Sequence, residues 1–174
     1  MLFRSIHPEG QTALYDAIAT AAEHLRQSAL QKKVLVVLSD GGDNASTRKL
    51  PQLLTMLQES DAIVYTVGLF DEDDKDSNPG VLKRLAKVSG GEAFFPKEIA
   101  GATSVLEAIS RDIRNQYTIG YVPLNGARDG KYRAVRVQVI GPHGDQRIAR
   151  TRTGYVAMPP DSVPRESQKE KQPQ

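Results

Sequence analysis

Val34-Leu35-Val36-Val37-Leu38, running straight into Ser39-Asp40-Gly41-Gly42-Asp43-Asn44, is the stretch that decides the fold. Five consecutive apolar residues without alternation read as a strand buried on both faces, the habit of parallel sheets covered by helices. The run stops at a carboxylate and two glycines, the composition of a turn at the carboxyl end of such a strand. Upstream, Leu14, Ile18, Ala21, Ala22 and Leu25 recur at helical spacing over Ala13 to about Ala29, with Thr12 placed as N-cap. Downstream, Leu50, Leu53, Leu54 and Leu57 mark a second helix, with Pro51 tolerable in its first turn. A second apolar run, Ala62 to Leu69, leads into the acidic stretch Asp71 to Asn78.

Pro79 then opens a third helix through Val81, Leu82, Leu85 and Val88, closed by Gly90-Gly91. A short strand, Glu92 to Phe95, precedes a fourth helix over about 102–115 with Val105, Leu106, Ile109 and Ile113 on one face. Helices alternating with strands predict right-handed crossovers and a three-layer α/β fold, a Rossmann-like parallel sheet with helices on both faces. After Gln116 the period changes to two. Tyr117 to Val122 alternates, Asn125-Gly126 and Asp129-Gly130 supply turns, and Val135, Val137 and Val139 alternate with Arg136 and Gln138. This predicts an antiparallel β-meander extension with one apolar face and a bulge near Tyr132 to Val135. The expected organisation is 1–115 for the α/β part, 116–157 for the extension, and a disordered tail over 158–174, rich in Pro, Gln, Ser and charge.

Composition narrows the chemistry. The 174 residues contain no cysteine, which excludes disulfides, thiolate metal clusters and a cysteine nucleophile, so ligands must be oxygens or the three histidines. The net charge of +2 is unevenly spread: residues 1–110 hold 11 basic and 15 acidic groups, residues 111–152 hold 9 and 3. No apolar run reaches the roughly 20 residues of a membrane helix, and Met1 to Glu9 lacks the features of a signal peptide. No membrane span is expected.

In an open parallel sheet, function lies beyond the carboxyl ends of the strands. Asp40, followed by glycines that admit close backbone approach, suits a hard cation such as Mg²⁺, which takes carboxylate, hydroxyl and water oxygens. Three further readings stand beside it. Asp40 sits where a phosphoryl-transfer nucleophile would, although the second aspartate of such a phosphatase-like site is replaced by Gly42. Arg133, Arg136, Arg147, Arg150 and Arg152 could present an anionic-surface or nucleic-acid patch, or simply the charged solvent face of a sheet. The Asp71 to Asp76 stretch invites Ca²⁺ but fails the EF-hand pattern at its sixth and twelfth positions, Asp76 and Leu82, and reads as a solvated loop. His7, His24 and His143 are isolated. No nucleophile elbow, phosphate loop or dinucleotide fingerprint occurs, and the chain is expected to be non-enzymatic.

Gly10-Gln11-Thr12-Ala13-Leu14-Tyr15-Asp16-Ala17-Ile18, together with Val34 to Leu38 and Ser39-Asp40-Gly41-Gly42-Asp43-Asn44, resembles the second half of a von Willebrand factor A domain. Gln116-Tyr117, Gly130-Lys131-Tyr132 and Thr153-Gly154-Tyr155-Val156-Ala157 are similar to the C-terminal extension of a bacterial VWFA-related group. The resemblance spans about residues 3–157. It implies a protein-binding, adhesion-type module with a metal-ion-dependent adhesion site, in which Thr12 would be the threonine ligand and Asp40 the aspartate ligand. Gly41, Gly42, Asp43 and Asn44 would stand behind the metal or touch the partner. Mg²⁺, or Mn²⁺ or Ca²⁺, would be completed by an acidic residue of a protein partner; no nucleic acid is expected. The family's Asp-x-Ser-x-Ser loop and the central strand before it have no counterpart in this sequence. The expectation is therefore an N-terminally truncated domain, an incomplete site with weak or absent metal, and an unpaired 34–38 strand prone to self-association. The resemblance also suggests a secreted or periplasmic setting.

Overall fold

The computed structural model describes residues 10–70, 77–147 and 149–159. Four helices, α1 (Leu14–Arg26), α2 (Leu50–Glu59), α3 (Pro79–Ser89) and α4 (Ala102–Arg114), alternate with strands β1 (Val34–Ser39), β2 (Ile63–Gly68) and β3 (Ala93–Phe94). The strands form one parallel sheet in the order β1-β2-β3, with Val34 opposite Ile63 and Ser39 opposite Gly68. The expected three-layer α/β architecture is present.

Strand parity divides the core in two. Val37 and Val64 point to a cluster with Leu14, Ile18 and Ala22 of α1, Leu53 and Leu57 of α2, and Val81 and Leu85 of α3. Tyr65 and Val67 point the other way, to Ile109 of α4, with Val34, Val36, Val105 and Ile113 around them. β2 is the strand buried on both faces, whereas β1 lies at the sheet edge among the described residues and leaves Leu38 56% exposed. The polar groups inside are paired. The Thr66 hydroxyl donates to the Leu82 carbonyl, and the Ser89 hydroxyl accepts from the Val64 N–H while donating into its own helix.

Helix ends follow their residues. Pro79 occupies the first turn of α3, the Asn78 side chain accepts from the Val81 N–H, and Gly90 ends the helix at φ +88°, a conformation that glycine adopts freely. In α2, Pro51 falls in the first turn as expected, and the Gln52 side chain accepts from the Lys49 N–H.

The extension differs from the expected meander. β4 (Tyr132–Ala134) pairs antiparallel with β7 (Gly154–Val156), and β5 (Val139–Ile140) pairs with β6 (Gln146–Arg147) as a separate hairpin. Antiparallel pairs form, but only β5 and β6 pair as successive segments, β4 passing over them to β7, and residues 117–122 join no strand among the described residues. The expected apolar face is not buried either: Val139 and Ile140 are exposed. The physical reason is that alternation only becomes a strand where a neighbour completes its ladder. The extension is held to the α/β part by Arg150, whose guanidinium bonds both Glu92 and Asp112, and by Arg152, which donates to the Ser60 carbonyl. The acidic stretch Asp71 to Asp76, His7 and the tail beyond Pro159 lie outside the described residues.

Candidate functional site at the carboxyl edge of the sheet

β1 delivers Asp40 to the carboxyl edge, and two local bonds shape the turn that follows. The Ser39 hydroxyl accepts from the Gly41 N–H at 3.0 Å, and Asp40 Oδ1 accepts from the Gly42 N–H at 2.9 Å. Gly41 is buried at φ +85°, and a Cβ there would lie 2.3 Å from the Asn78 carbonyl oxygen. That approach lets the Asp40 carbonyl accept from the Asn78 N–H at 2.8 Å, which ties the turn to the start of α3.

A second set of bonds joins the turn to the segment before α1. The Thr12 N–H donates to Asn44 Oδ1 at 2.7 Å, and the Thr12 carbonyl accepts from the N–H groups of Asn44 and Ala45 at 3.0 and 3.2 Å. Asp43 Oδ2 accepts from the Tyr15 N–H at 2.8 Å and from the Ser46 hydroxyl at 2.6 Å, while the Ser46 hydroxyl also accepts from the Asp16 N–H at 3.0 Å. The first turn of α1 is therefore capped from across the chain. Thr12 is not its N-cap, contrary to the sequence expectation: the helix begins one residue later, after Ala13, and no side chain of its own caps it. Its end also comes earlier than expected, at Arg26.

Asp16 fastens the same junction from the helix side. Its carboxylate accepts from the Thr47 N–H and hydroxyl at 2.7 and 2.9 Å and from the Arg48 guanidinium at 3.1 Å. The Thr47 N–H foremost, opposed by partial desolvation and aided by the Thr47 hydroxyl and Arg48, holds its carboxyl below the ordinary range. Sequence reasoning missed Asp16, Ser46 and Thr47. Asp43 and Ser46 carry a capping spacing, but the helix they cap lies 28 to 30 residues upstream, so no local pattern could reveal it.

The residues singled out from the sequence thus fall into two groups. Thr12 and Asn44 are in direct contact, and Asp40, Gly41 and Gly42 form one turn. Asp43 is committed to α1 and to its own loop, since Oδ2 accepts from the Tyr15 N–H and Oδ1 from the Ser46 N–H. Among the described residues, the Thr12 hydroxyl and Asp40 Oδ2 carry no hydrogen bond, and no cluster of three or more His, Asp or Glu side chains gathers around them. A hydroxyl and a carboxylate are oxygen donors of the kind that a hard cation takes.

The arginines of the extension are largely engaged elsewhere. Arg133 donates to the carbonyls of Asn125 and Ala127, Arg147 pairs with Asp145, and Arg150 and Arg152 hold the extension to the α/β part. Among the described residues no helix is long and apolar enough to cross a membrane.

Among curated proteins none matches the chain significantly. Two similar solved structures are an uncharacterized membrane-spanning protein from Vibrio fischeri and the conserved hypothetical protein BatB from Bacteroides thetaiotaomicron. The first is 18% identical with a TM-score of 0.41, over 62% of this chain and 61% of that one. The second is 15% identical with a TM-score of 0.45, over 64% and 63%. The chain therefore spans under two thirds of the length of either. The model of the von Willebrand factor type A domain matches residues 2–109, which take in the whole parallel sheet and the turn at Asp40, and with more than half of its length so matched the chain belongs to that family.

Proposed function

We propose that this chain is a non-enzymatic protein-interaction module of the von Willebrand factor A type, and that its contact surface is the carboxyl edge where Thr12 and Asp40 are presented. Family membership supports an interaction module in general. The observation that supports the finer reading is the bonding of the Thr12 backbone to Asn44 and Ala45, because it ties the segment that bears Thr12 to the loop that follows Asp40. In this reading Thr12 and Asp40 contribute two oxygens to Mg²⁺, or to Mn²⁺ or Ca²⁺. The remaining donors come from water and from an acidic residue of the partner, with Gly41, Gly42 and Asn44 at the rim. Residues 1–115 form the binding part, 116–157 the β extension and 158–174 a polar tail. The edge of β1 is a second surface, open to self-association.

Isothermal titration of the wild type with Mg²⁺ and Mn²⁺ should give small saturable heats that vanish in Asp40→Ala. Identical heats from both proteins would remove Asp40 from the site.

A further inference from the structure

Residues 117–122, Tyr-Thr-Ile-Gly-Tyr-Val, have the pattern of a strand and no ladder among the described residues. Their side chains face solvent to an unusual degree: Tyr117 is 93% exposed, Ile119 74% and Val122 92%, with Tyr121 and Leu124 also exposed. From Gln116 to Asn125 there is no charged residue. Isolated apolar side chains are ordinary on a protein surface, but a contiguous run marks a place where something binds.

The segment lies beside an existing pair of strands. The Tyr121 ring stands edge-on to Tyr155 of β7, with centroids 6.5 Å apart, and β7 is bonded to β4 with Arg133 opposite Tyr155. Set alongside β7, the odd-numbered Tyr117, Ile119 and Tyr121 continue the face that bears Tyr155. Two strands alone are marginally stable in water, whereas a broader sheet with an apolar face holds.

The partner must be extended, apolar on alternate residues and free of opposing charge. Residues 160–174 do not meet that description, because Val163 is their one aliphatic or aromatic residue. A second copy of 117–122 does. Antiparallel pairing about Ile119 sets each Tyr117 opposite the Tyr121 of the other copy and the two Ile119 side chains opposite one another, all on one face, with no like charges facing. Such contacts close on a two-fold axis and generate a dimer rather than a filament. Tyr117, Ile119 and Tyr121 stand on that one face 93%, 74% and 58% exposed, so each copy has aromatic and aliphatic area to bury on pairing.

We propose that residues 117–122 are a homodimerisation strand, pairing antiparallel with the same segment of a second copy to join the two β4-β7 pairs into one six-stranded sheet. The proposal is independent of the Thr12 and Asp40 reading, and it uses a different surface from the β1 edge. Light scattering coupled to size exclusion should give twice the 19.1 kDa chain mass for the full chain. Ile119→Lys and Tyr117→Glu should each halve that mass while the α/β part stays folded by circular dichroism, since both side chains are exposed, whereas Ile119→Val keeps the dimer; the melting temperature falls with the loss of association. Hydrogen exchange should show the 117–122 amides protected in the wild type and released in Ile119→Lys. A wild-type monomer overturns the proposal, and if its 117–122 amides are protected, another part of the chain covers the segment. A dimer that survives both charged substitutions also overturns it and assigns association to another edge.

Discussion

Asp16 shows how a single side chain can belong to a loop more than to its own helix. Its carboxylate is spent on Thr47 and Arg48, which lie across from α1, and those contacts hold its pKa below the ordinary value, the Thr47 N–H contributing most. A carboxyl whose folded pKa is depressed contributes stability above its unfolded pKa, near 3.9, and loses it as the pH falls through the folded value. Asp16→Asn should therefore melt below the wild type at pH 7, and the two melting curves should converge as the pH falls from the unfolded pKa through the lower folded value. Parallel melting profiles over that range would show that the junction does not depend on the charge. Thr12 teaches the complementary lesson. From the sequence it has the position and chemistry of an N-cap, yet α1 takes its caps from Asp43 and Ser46, because a carboxylate and hydroxyl on the facing loop reach Tyr15 and Asp16 directly.

The elements of the α/β part were legible because their signals are local. Leu14, Ile18 and Ala22 share one face of α1 at helical spacing, and Leu53 and Leu57 do the same in α2; all are buried. The β2 run is apolar without alternation because helices cover both its faces. What the sequence could not assign was pairing: β4 finds β7 about 20 residues on and passes over the β5-β6 hairpin, while 117–122 pairs with nothing among the described residues. Alternation reports which residues share a face and leaves the neighbour open. Close approach between elements is equally hidden. Gly91, between α3 and β3, reads as a spare C-terminal glycine, yet a Cβ there would stand 2.0 Å from the Val64 carbonyl oxygen in β2. The nearest atoms are β2 backbone rather than the far end of a flexible side chain, so Gly91→Ala should destabilise by about 1–3 kcal/mol, as overpacking does. Gly126→Ala, where nothing lies within 4 Å, should be near neutral. Urea midpoints compare the two directly, and equal midpoints would mean that α3 can lift from the sheet at no cost.

At the scale of the whole molecule, the extension behaves as a strap over the end of the sheet remote from Asp40. Arg150 reaches Glu92, just before β3, and Asp112 on α4; Arg152 reaches the Ser60 carbonyl after α2; and the Thr151-Arg152 backbone lies so close to Gly90 that a Cβ there would meet it at 2.6 Å. One segment thus touches three successive helix ends or their connections. Arg150 is 38% exposed and its two carboxylates 47% and 32%, so each ion pair alone is worth at most about 1 kcal/mol. Removing the guanidinium does more than delete two pairs, because it leaves Glu92 and Asp112 without the cation they share. Arg150→Ala should therefore lower stability by about 1–2 kcal/mol in low salt and by less in high salt, where screening weakens all three charges. Arg150→Lys should recover only part of the loss, since an ammonium lacks the planar fork that serves two carboxylates at once. The decisive measurement is hydrogen exchange. If the strap couples the two parts, the β7 amides of Tyr155 and Val156 exchange faster in Arg150→Ala, together with those of the last turn of α4; if the α4 amides are unmoved while β7 opens, the extension is a separate unit and Arg150 a surface contact.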